Sequence, residues 1–96
     1  MEHLAKLQDW YRAQCDGSWE HTYGISIVTI DNPGWHFKVD IVDTILFGKA
    51  FDQVKFEGAH QGDWYTCNVT STAFEAFCGP DRLSTVISEF IRWSGT

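Results

Sequence analysis

Positive charge is what this chain has least of. Seven Lys and Arg stand against 13 Asp and Glu among 96 residues, a formal net charge of −6, and no cation falls between Arg12 and Lys38. Phosphate backbones are bound by cationic surface, so this balance argues against nucleic acid as a direct partner and favours attraction to a basic protein. Cysteine is scarce too. Cys15, Cys67 and Cys78 make an odd count without a C-x-x-C pair, which is neither a disulfide framework nor a zinc spacing. No apolar run nears the length that crosses a bilayer, and Met1-Glu2-His3-Leu4 lacks the charged and apolar regions of an export signal. The expectation is a cytoplasmic protein with no membrane contact, in which the Asn68-Val69-Thr70 glycosylation pattern carries no weight. Walker loops, H-E-x-x-H and strand-to-helix nucleophile turns are missing, as are the dense acids of a Ca²⁺ loop. Neither a metal nor a cofactor is expected.

What the chain does have is rings: aromatic residues make up 16% of it, with five Trp. Large rings bury much area each, so a chain of this length can close one core, and residues 1–96 read as a single domain. Residues 3–14 carry Leu4, Leu7, Trp10 and Tyr11 at helical spacing. Residues 24–30 are β-branched and short-chained, which suits a strand with Ile25, Ile27 and Thr29 on one face. Asn32-Pro33-Gly34-Trp35 has type II turn chemistry, with Gly34 expected at positive φ. Trp35, Phe37, Val39 and Ile41 then alternate with His36, Lys38 and Asp40, a strand with one buried face.

Residues 43–50 follow neither period, although Ile45, Leu46 and Phe47 are apolar. Further strands are expected from near Phe51, over 64–70 and over 72–78. Leu83, Val86, Ile87, Phe90 and Ile91 mark a last helix, with Pro80 in its first turn, Asp81 at its N-terminus and Gly95 beyond its end. The expected fold is α+β: a single antiparallel sheet of about five strands, connected as a meander, with the N-terminal and C-terminal helices on one face.

Chemistry-bearing residues crowd into 15–35, which holds Trp19, Tyr23, Trp35, His21 and the acids Asp16, Glu20 and Asp31. Interface hot spots favour Trp and Tyr, and a local negative field speeds encounter with a basic partner. Asp16, Trp19, Glu20, His21, Tyr23 and Asp31 are therefore the candidate partner contacts, with Trp19 equally able to cover the core edge. Asp16, Glu20, His21 and Asp31 also offer oxygen and nitrogen ligands, but their spacing matches no metal cage. The alternative from another class is a small hydrolase or transferase that uses His21 with Cys15 or Glu20. Nothing in the residues sets the oligomeric state.

The same stretch resembles a known family. Cys15-Asp16-Gly17, Trp19-Glu20-His21, Tyr23-Gly24-Ile25, Ile27, Thr29 and Asp31-Asn32-Pro33-Gly34-Trp35 look like the signature of immunity protein 53 of bacterial polymorphic-toxin systems. Trp64 with Cys67, Gly79-Pro80-Asp81 and Phe90 with Trp93 extend the likeness less specifically. The resemblance implies a small cytoplasmic antitoxin without catalysis of its own. It would bind a cognate toxin domain, such as a basic nuclease, and block its active site or substrate path. It names neither the toxin nor the contact residues.

Overall fold

A computed structural model describes residues 2–96. The order of elements is α1 (Glu2–Gln14), α2 (Trp19–Thr22), β1 (Ile25–Ile30), β2 (Gly34–Asp40), β3 (Val54–Glu57), β4 (Trp64–Val69), β5 (Ala73–Cys78) and α3 (Leu83–Ser94). All strand pairings are antiparallel, and the single sheet runs β1-β2-β5-β4-β3. The α+β class and the helix–sheet–helix order stand as expected. The simple meander does not. The chain leaves β2 through residues 41–53, crosses to the far edge as β3, and returns so that β5 lies between β2 and β4. Burial explains the centre: β5 and β2 bury Phe74, Ala76, Cys78, Phe37 and Val39 completely, so the most apolar strands take the two-sided positions.

α3 lies across the middle strands, and α1 packs on α3. Phe37, Phe74 and Phe90 meet edge to face at 5.3–6.2 Å between centroids, and Trp10 joins Phe90 at 5.0 Å. Such tilted contacts add to area burial because ring edges are positive and faces negative. Cys67 and Cys78 sit inside this core, where burial pushes their thiols up to about 12 and about 11. They are packing groups, not nucleophiles.

Two turn assignments change. Gly34 is not at positive φ; those glycines are Gly17, Gly48 and Gly95. Gly34 is instead the first residue of β2, and a Cβ there would run into the Cys78 carbonyl oxygen. The glycine serves close approach of two strands, not turn geometry. Pro80 falls short of the first turn of α3, whose N-cap position is Arg82, while Asp81 stands directly before that cap, by the helix N-terminus as expected. The Arg82 guanidinium is clamped by both carboxylate oxygens of Asp63, and this pair holds the Asp63 carboxyl below its usual range. Gly95 ends α3 in the left-handed conformation, φ 78°, as a C-terminal glycine should.

Candidate partner-binding surface

The region from Cys15 to Tyr23 is a tight turn that its own acids hold. Gly17 takes φ 89°, which reverses the chain after α1. Asp16 then accepts the backbone N–H groups of Ser18 and Trp19, both at 2.9 Å. Glu20 reaches back to accept those of Asp16 at 3.0 Å and Gly17 at 2.9 Å. These four bonds brace the turn that leads into α2, whose N-cap residue Ser18 makes no side-chain cap bond of its own. Backbone donors lower both carboxyls: for Asp16 first the N–H of Trp19, then that of Ser18. For Glu20 its own N–H leads, with Asp16 and Gly17 adding. Asp16 is exposed and Glu20 half-buried, so the turn carries negative charge outward while it fixes its own backbone.

Trp19 is only 4% exposed. Its indole N–H donates to the Val42 carbonyl at 2.9 Å, and its ring meets Trp10 edge-on at 6.0 Å. Of the two roles left open for Trp19, partner contact and cover of the core edge, the second is the one seen: the ring locks α2 to the start of the 41–53 connection. Tyr23 is half-buried, 6.1 Å from the Trp19 ring. His21 is exposed. Asp31 is exposed but lies beyond the other end of β1, a strand length of ~20 Å away. Five of the six candidate contacts thus share one turn, and Asp31 belongs to the opposite end of the sheet.

The hydrolytic constellation is not assembled. Among the described residues no hydrogen bond joins His21 to Cys15 or Glu20. Cys15 Sγ points to the Tyr11 carbonyl at 3.4 Å, and both Glu20 oxygens are taken by backbone donors. No group of three His, Cys, Asp or Glu side chains converges as a metal site would require, again among the described residues.

The same end of the sheet holds a feature that periodicity missed. After Val42 the connection makes a knuckle in which Leu46 is buried while Ile45 is 91% and Phe47 58% exposed. Thr44 Oγ1 fixes it, donating to the Ile41 carbonyl at 2.7 Å and accepting the Leu46 N–H at 3.1 Å. Asp43 sits at φ 62°, the one described non-glycine residue in left-handed conformation. A groove of about 320 Å³ runs beside it, lined by Phe47, Lys49, Phe51 and Val69 among others. Lys49 closes the far wall by donating to the Trp93 carbonyl at 2.6 Å. Two large apolar side chains standing in water on a hydrogen-bonded knuckle, tied through Trp19 to an acid-braced turn, form an interface-like patch. Three consecutive apolar residues outside any periodic segment were the only trace of it in the sequence.

One family model matches the chain, that of immunity protein 53, over residues 4–95. No curated protein and no solved structure matches. No helix of the described residues is long and apolar enough to cross a membrane.

Proposed function

The chain belongs to the immunity protein 53 family, and from that premise we propose that it neutralises a cognate polymorphic toxin by binding it and covering its active site or substrate path. The observation that carries this reading is the match over nearly the whole chain. The end of the sheet described above supplies the contact. Ile45 and Phe47 enter an apolar hollow on the toxin, while Asp16, Glu20 and His21 beside them meet its polar rim. Tyr23 supports the turn from below. An acidic domain of net charge −6 suits a toxin whose own substrate surface is basic, as in a nuclease.

The decisive experiment pairs the chain with the toxin domain encoded beside its gene. Co-expression should rescue growth, and the purified proteins should form a stable complex. Ile45→Ser with Phe47→Ser should weaken that complex by at least about 2 kcal/mol, the loss of a pair of anchors. Rescue without any physical complex would overturn the proposal.

A further inference from the structure

The two edges of the sheet are not alike. β3 is four residues long, carries Lys55 and Glu57, and has the Arg82 guanidinium 4.6 Å above Phe56. Short length and charge are how proteins blunt an edge. β1 has none of these devices. It is six residues, Ile25-Ser26-Ile27-Val28-Thr29-Ile30, without a charge or a proline, and its register with β2 is unbroken.

The hydrogen-bonding side of that edge follows from the ladder. The Asp40 N–H donates to the Gly24 carbonyl at 3.0 Å. Antiparallel pairs alternate between bonded and non-bonded, so Ser26, Val28 and Ile30 face β2 and the N–H and C=O groups of Ile25, Ile27 and Thr29 point outward. Neither face of this edge is covered: Ile27 on the helix face is 38% exposed and Val28 on the other face 49%. On the helix face a groove of about 330 Å³, lined by Leu7, Gln8, Tyr11, Gly24 and Ile25, separates α1 from this strand.

We propose that β1 pairs with β1 of a second copy, antiparallel about a two-fold axis through Ile27, making a continuous ten-stranded sheet. In that register Ile27 faces its symmetry mate, Ile25 faces Thr29, and Val28 faces Ser26. Every cross-strand pair is uncharged, and most members are β-branched, the kind that stabilises neighbours in a sheet. Each Ile27 projects on the helix face toward the apolar groove of the other copy. An uncharged, β-branched edge beside an apolar groove fits a strand like itself, whereas a steered basic partner would call for charge. A six-residue edge alone falls short of the ~1,200–2,000 Å² that a stable interface hides, so the exposed Leu4 and Tyr11 of α1 complete the contact. Each copy carries −6, so the dimer tightens with salt, opposite in sign to the binding of a basic partner.

Sedimentation equilibrium of the purified chain should show a monomer–dimer equilibrium that strengthens as salt rises. Ile27→Lys and Thr29→Pro should each weaken it at least about tenfold. The proline removes only an outward N–H, so thermal melting should stay near wild type; at high salt, where its added charge is screened, Lys55→Glu on the other edge should change nothing. Hydrogen exchange on the unmodified chain gives a second reading: amides of Ile25, Ile27 and Thr29 should gain protection with concentration, while Ser26, Val28 and Ile30 are protected throughout. A chain monomeric at every concentration and salt would overturn the proposal. So would a dimer that leaves those three amides unprotected, or protection that appears only when the toxin domain is added to a monomeric chain.

Discussion

At the scale of single residues, the structure separates rings that hold the fold from rings that face water. Trp19 is of the first kind. Trp19→Ala should cost about 3–5 kcal/mol, as for other buried large side chains, read as a melting temperature lowered by more than ten degrees at about 4–8 °C per kcal/mol. Trp19→Phe keeps a ring but strips the Val42 carbonyl of its donor, and should cost about 1 kcal/mol. Ile45 and Phe47 are of the second kind. Replacing either with Ser should leave thermal stability within about 0.5 kcal/mol of wild type, because neither side chain loses burial that the fold depends on. A stability loss comparable to that of Trp19→Ala would show that the knuckle is structural. Exposure is the property that sequence could not supply here. Trp19 and Phe47 are both large rings in non-periodic segments, and only the path of the chain decides which one is covered.

At the scale of elements, periodicity carried far. α1, α3 and the strands after Pro33 were legible because an amphipathic face repeats every 3.6 or every two residues. α2 was not, since four residues complete barely one turn. Strand order was not either, because alternation shows which face of a strand is buried, not which neighbour it takes. Gly34 illustrates the limit: Pro-Gly points to a turn, yet the glycine is required by the backbone of Cys78 on β5, distant in sequence but paired with β2. Gly34→Ala should therefore destabilise by about 1–3 kcal/mol. Gly24→Ala, where a Cβ meets nothing within 4 Å, should stay within about 0.5 kcal/mol; equal losses in a denaturant titration would refute the distinction. The acid-braced turn that leads into α2 gives a pH dependence. Asp16 and Glu20 have lowered carboxyls in the folded chain, so the unfolded chain takes up protons first as pH falls. Their contribution is present above the ordinary carboxylate range and is lost as pH drops through the lowered folded values. Asp16→Asn with Glu20→Gln should flatten that acid limb of the melting-temperature profile, and an unchanged slope would show that these bonds do not couple to stability.

At the scale of the whole molecule, charge and topology set different behaviours. An acidic surface steers encounter, so association with the basic toxin proposed above should slow as salt rises, and neutralising Asp16 and Glu20 together should reduce both the rate and its salt slope. Stopped-flow traces indifferent to salt would remove steering from the account. Topology bears on when the protein first becomes competent. The fifth strand, made last of the five, is the keystone between β2 and β4. Until it emerges from the ribosome, the chain owns only two separate hairpins, each too small to persist alone in water. On the proposed reading, self-protection in a growing cell thus begins only once β5 is made, and a message cut short before Ala73 would leave its host as vulnerable as one that was never read.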